Sequence, residues 1–180
     1  MSDESGSGQQ SGIETKLGWL VAITFIVLLW NIIQMPRTVL EEREPLMFFH
    51  YSLGLIVSII AAVRIYWWLR EPTPEPPGEL PVASFGFNRA ILFALLLVFA
   101  VETVIGFIYA WGAGHDVVLF GVHLPAFIAK SEPLRMSMGY LHSALGFYYL
   151  MLFVIWFVFG IYQKIRYGAG LKRLFPGSSV

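Results

Sequence analysis

Four long apolar runs separated by three polar connectors set the pattern of this chain. From Leu17 to Pro36 no residue is charged, and the run LGWLVAITFIVLLWNIIQ is long enough to cross a hydrocarbon core of about 30 Å at roughly 1.5 Å per residue. A second run extends from Pro45 to Val63 and continues through Arg64 to Trp68, because an arginine near a helix end can carry its charge to the interface on its long stem. The third covers Ala90 to His115 and holds one carboxylate, Glu102; the fourth covers Met136 to Gln163. The pattern predicts an all-α membrane protein, a bundle of four transmembrane helices.

The connectors differ in kind. MPRTVLEERE, after the first run, is a short polar loop. REPTPEPPGELP, after the second, holds five of the chain's ten prolines; it cannot stay helical and predicts an extended link outside the membrane that divides the chain into two hairpins. The third, from Gly112 to Arg135, has too few apolar residues to span and too many for a plain loop, which predicts a lid lying along the interface. Residues 1–15 are polar and acidic, without a basic start or a cleavage site after an apolar core, and read as a disordered tail, not a signal peptide. The membrane domain is expected over 16–167, followed by a short basic tail at 168–180.

Composition excludes several classes of function. With 57% hydrophobic and 13% charged residues and a mean hydropathy of +0.67, this is no ordinary soluble domain. The lack of cysteine rules out disulfides, thiolate ligation of haem, iron–sulfur clusters and cysteine nucleophiles. A formal net charge of zero with scattered basic residues gives no reason to expect nucleic acid. Those basic residues do set an orientation. With both termini inside, the inner side collects Lys16, Arg64, Arg70, Arg89, Lys164, Arg166, Lys172 and Arg173, whereas the outer side keeps Arg37, Arg43, Lys130 and Arg135. The positive-inside rule therefore places both termini in the cytoplasm.

Candidate chemistry centres on His50 and His142. Each opens the same short motif, His-x-x-Leu-Gly: His50, Leu53 and Gly54 in the second run, His142, Leu145 and Gly146 in the fourth. Residues four apart share a helix face, so each imidazole has a glycine one turn on, where no side chain blocks a flat ligand. In the expected topology both histidines lie roughly 8–10 Å below the outer face. Two histidines at one depth could hold haem b, leaving no open position on the iron, an arrangement suited to electron transfer. The competing interpretation is two buried polar residues hydrogen-bonded across the bundle, although buried polar groups in lipid call for a reason.

Glu102 is the only carboxylate inside a span, either a proton acceptor coupled to redox change or a protonated acid bonded to a neighbouring helix. His115, Asp116 and His123 lie in the third connector without a third histidine or a cysteine to complete a metal site. A place near a haem propionate or a quinone headgroup suits them better. Arg37, Arg43 and Arg135 at the outer face, and Arg64 deeper, are candidates for pairing with propionates, with solvated or headgroup-bound arginines as the alternative.

Taken in order, the His50 motif, the arginine and proline-rich link VRIYWWLREPTPEPP, the VIG at Val104 to Gly106, VLFGVHLP at Val118 to Pro125 and the His142 motif resemble the bacterial cytochrome b561 family over Leu17 to Tyr167. The resemblance implies a multi-pass protein of the bacterial inner membrane carrying haem b, with quinone or quinol as a redox partner. It implies a quinol-linked oxidoreductase or an electron-transfer subunit of one, in contact with a periplasmic redox protein or a larger complex. Family members usually hold two haems, each between two histidines. His50 and His142 match the outer pair, with Gly54, Gly146, Arg64 and Arg135 as candidate cofactor contacts. The other pair is missing: Gly18-Trp19 stands where the family shows His-Trp, and Trp156 stands at the remaining ligand position, where its indole could fill space left by the macrocycle. One haem per chain is the expectation. The alternative is a haem-poor or haem-free scaffold subunit of a respiratory or photosynthetic assembly. A proton-coupled transporter built on Glu102 is disfavoured, since no inverted repeat of broken helices occurs.

Overall fold

A computed structural model of the protein describes residues 5–168 apart from 71, 74, 77 and 78. Four long helices carry the chain: α1, Ser5–Gln34; α2, Glu44–Arg70; α3, Val82–Ala113; and α4, Glu132–Tyr167. Between α3 and α4 lie two short strands, β1 (Val117–Leu119) and β2 (Val122–Leu124). All four helices are long and apolar enough to cross a membrane, as the hydropathy pattern requires. The protein is an all-α, four-span membrane bundle, in which α3 packs between α2 and α4 and α1 packs on α2.

Helix ends depart from the expected bounds. The spanning part of the first helix begins at Trp19, but helical backbone continues back to Ser5, through polar residues expected as part of a disordered tail. Residues 1–4, and 169–180 of the expected basic tail, fall outside the described residues. Helix α3 starts at Val82 and not at Ala90, because neighbouring helices hold its polar first turns. The Arg89 guanidinium lies 4.1 Å from the centroid of the Trp68 ring, and Gln163 Nε2 donates to Ser84 O and Oγ at 3.2 and 3.1 Å.

Interhelical contacts mix aromatic packing with a few polar bonds. Phe25, Val57, Leu95, Phe99, Tyr149 and Trp156 belong to one buried cluster in the middle and far half of the bundle, where the Tyr149 and Phe99 rings meet at a tilt with their centroids 4.2 Å apart. Thr103 Oγ1 donates to Gly54 O at 2.7 Å and Ser58 Oγ to Ala100 O at 3.1 Å, fixing α2 against α3. Asn31 Nδ2 donates to Leu46 O at 2.9 Å, joining the end of α1 to the start of α2. Such bonds suit a lipid setting, where the unpaired alternative has no water to turn to. The remaining apolar faces, such as Phe147, Val154 and Val158 on α4, point outward, as lipid contact allows.

The connector expected as an interfacial strip folds as a β-hairpin over one end of the bundle. Val117 pairs with Leu124 and Leu119 with Val122, leaving a two-residue turn, Phe120 (φ 51°) and Gly121 (φ 83°). Positive φ at both turn positions matches the right-handed twist of the strands. Val117 is fully buried beside Ala110 and Trp111, and the Phe120 N–H donates to Ser52 Oγ at 3.2 Å. Sequence alternation over eight residues gave too little signal to separate a hairpin from a loop. The buried seat for Val117 exists only once α3 and α2 are in place.

Candidate functional site

Directly beneath that hairpin, α2 and α4 bring His50 and His142 together. Their ring centroids are 5.9 Å apart with the planes at 89°. His50 sits two residues before Ser52, the acceptor for the hairpin tip, so the roof and the first imidazole are fixed by the same turn of α2. Tyr51, beside His50, packs into the roof cluster with Trp111 and Val117.

The imidazoles have an unusual polar environment. The Nδ1 atoms of His50 and His142 are both buried without a hydrogen-bond partner among the described residues. For His142 the acceptors at hand belong to Glu102, its carboxylate Oε1 at 3.1 Å and its main-chain carbonyl, neither with the alignment of a fully formed bond. Orphaned polar atoms in a membrane interior are costly, so one on each of two neighbouring rings indicates that the site is built for something more than packing. The spacing also fits a shared metal. Two imidazole–metal bonds of roughly 2 Å each, with the ring radii added, span about 6 Å. The residues present therefore fit an iron held between the two rings.

A stripe of α3 backs the site. Gly106 leaves room for the second ring, since a Cβ there would stand 3.0 Å from His142 Cε1. Tyr109 stacks with His142 at 6.4 Å between centroids and 26° between planes. The sequence singles out Glu102 by its charge and Gly106 only as the end of the Val104 to Gly106 signature, while Tyr109 carries no mark of its own. Their spacing from Glu102, four and seven residues on, was the available signal.

Other candidates are placed apart from the two rings. Gly54 and Gly146 face α3: a Cβ on Gly54 would meet Thr103 Oγ1 at 3.5 Å, and one on Gly146 would meet Glu102 Oε1 at 3.8 Å. Arg135 ion-pairs with Glu132 in the first turn of α4, about two turns before His142. Arg37 donates to Ile33 O at 3.2 Å and Arg43 to Thr38 O at 2.8 Å, so both brace the α1–α2 loop. His115 and His123 are solvent-exposed on and beside the hairpin, as is Asp116. No group of three or more metal-binding side chains occurs among the described residues.

Arg64 lies about four turns, roughly 21 Å, along α2 from His50. It is buried and lines a cavity of about 270 Å³ in the far half of the bundle, together with Trp19, Phe25, Tyr149, Phe153 and Trp156. No histidine, methionine or cysteine lines that cavity. Trp156 is buried in the central cluster, not placed at an interface, and its indole fills part of the space without closing it.

Comparison with known proteins agrees with this architecture. The family described as prokaryotic cytochrome b561 matches residues 14–177. Among curated proteins, the probable superoxide oxidase CybB of Yersinia pestis is 23% identical over 116 residues. That alignment takes in 64% of this chain and 65% of the relative, so the chain spans just under two thirds of that protein's length.

Proposed function

The chain belongs to the prokaryotic cytochrome b561 family, and from that premise we propose that it is a membrane electron carrier holding a single haem b between His50 and His142. The observation that carries the reading is the pair of partly buried imidazoles that α2 and α4 bring together, with ring centroids 5.9 Å apart. When bound, haem supplies a one-electron couple. His50 and His142 would both ligate the iron, and a site with two protein ligands suits electron exchange over the binding of small molecules. The hairpin roof, anchored at Ser52 and Val117, screens the site from water. A quinol, or a redox protein docking at the hairpin, is the exchange partner. The protein works as an electron-transfer subunit or a quinol-linked oxidoreductase.

One haem per chain is proposed because the described residues that line the far cavity include no histidine, methionine or cysteine: apart from Arg64 they are aromatic and aliphatic, and Trp156 stands where the family resemblance puts the missing ligand. Purified protein should give about one haem b per chain in a pyridine haemochrome assay against protein mass, with a low-spin spectrum. A ratio near two would overturn the stoichiometry. If the crossed imidazole planes persist on the iron, the ferric protein should show the strongly anisotropic electron paramagnetic signal of perpendicular ligands. Parallel-ligand spectra would show that the rings rotate on binding.

We place the haem at the periplasmic face of the inner membrane, both termini being cytoplasmic, because the basic residues concentrate on the opposite side. A cysteine replacing Lys130 should react with an impermeant maleimide in spheroplasts, while one replacing Glu75 in the proline-rich link should react only after lysis. The reverse pattern would put the site on the cytoplasmic side.

A further inference from the structure

Helix α3 presents a formed seat to one of the two histidines. Glu102, Gly106 and Tyr109 fall on one face of the helix, at successive turns. At the middle position the missing Cβ admits the ring: a Cβ on Gly106 would lie 3.0 Å from His142 Cε1 and 3.4 Å from Nδ1, with Nε2 further away at 3.7 Å. Tyr109 stacks on the same imidazole, and is itself held in place by α4, where a Cβ on Gly139 would come within 2.8 Å of its Cε2. One turn further from the hairpin, Glu102 brings Oε1 to 3.1 Å from His142 Nδ1, while its Oε2 is buried without a partner.

We propose that Glu102 is a positioning residue for His142, its carboxylate accepting the Nδ1–H of the imidazole and so fixing the tautomer that leaves Nε2 free to bind iron. The inference rests on His142 being a haem ligand and adds to it the group that prepares that ligand. A neutral imidazole carries one proton, and the hydrogen bond at one nitrogen decides which nitrogen can donate to a metal. Metal-bound histidines regularly give their second N–H to a carboxylate or carbonyl, which orients the ring and makes it a stronger donor. Contacts of this kind are often misaligned before the ligand arrives and tighten once it is bound. The same arrangement explains why a carboxylate is placed midway along the apolar helix α3: its partner is a ring that must be held in one orientation. His50 Nδ1 has no such partner among the described residues, so the two imidazoles are held unequally, His142 alone having a carboxylate at one edge.

Two measurements test this. The first uses the full chain prepared without haem and labelled with ¹⁵N-histidine, the His142 signals being assigned by their loss in His142→Gln. In the wild-type chain the Nδ1–H tautomer should dominate, and Glu102→Leu should return His142 to the mixture of a free imidazole. An unchanged tautomer in Glu102→Leu overturns the inference. The second uses the haem-loaded protein. Glu102→Leu should weaken haem retention about 10- to 100-fold, the range seen for loss of an outer partner. Glu102→Gln keeps an acceptor and should retain haem, but with a raised reduction potential, since a neutral amide donates less charge through the ring. If Glu102→Leu fails to fold, the Glu102→Gln potential alone decides: one equal to wild type overturns the inference. Because the tautomer is read without haem, a wild-type chain that binds none strikes the proposed function, whereas the Glu102 results strike only this inference.

Discussion

Replacing either His50 or His142 by alanine should abolish haem retention, while alanine at His115 or His123 should leave the haem spectrum intact. The first pair forms the only facing imidazoles among the described residues, 5.9 Å apart beneath the hairpin roof. The second pair is exposed and outside that roof. Loss of an iron ligand should exceed the roughly 10- to 100-fold cost of losing an outer partner, so the variants should elute without Soret absorbance. The bundle itself should survive. Its central aromatic cluster and its Thr103–Gly54, Ser58–Ala100 and Gln163–Ser84 bonds do not include either histidine. Circular dichroism should therefore show wild-type helix content in the apo variants. Haem retained by His50→Ala but lost by His123→Ala would show that the pairing is wrong.

Electron exchange should take place on one side of the membrane only. The hydrocarbon core is about 30 Å thick, and the two histidines lie near one end of it. From His50 to Arg64 the chain advances roughly 21 Å along α2. That far half contains an aromatic cavity with no histidine, methionine or cysteine to bind a second haem. On the proposed single-haem reading, an electron crossing it would meet no further haem ligand among the described lining residues. In sealed vesicles with an oxidant trapped inside, an impermeant donor added on the haem side should reduce the haem itself. Reduction of the trapped oxidant should stay at the background of vesicles carrying His50→Ala protein. Fast haem-dependent transfer across the vesicle wall would reveal a second cofactor in the far half, with the 270 Å³ cavity beside Trp156 as the place to look.

The four spans were legible in the sequence because spanning depends on a local property, the length of an uncharged run against the thickness of the hydrocarbon. For the same reason the depth of His50 and His142 could be counted along each helix, and the proline-rich link could be recognised as the break between two hairpins. Lateral arrangement was not legible. In lipid, the face that packs and the face that meets the bilayer are both apolar, so hydrophobic periodicity does not report which side of a helix meets which neighbour. Gly54 and Gly146 illustrate this: the sequence placed them one turn beyond each imidazole, but only packing turned both towards α3, against Thr103 and Glu102. Arg64 was counted as a contact for the histidine site and instead lines the far cavity, because the rise along α2 outweighs any reach of its side chain. The hairpin, the Gly106–Tyr109 seat and the approach of Glu102 to His142 likewise exist only where α2, α3 and α4 converge. The chain alone determined which residues lie at which depth in the membrane; tertiary packing decided which of them face each other, since contact between helices is set by shape and by a few polar bonds that one-dimensional hydropathy does not encode.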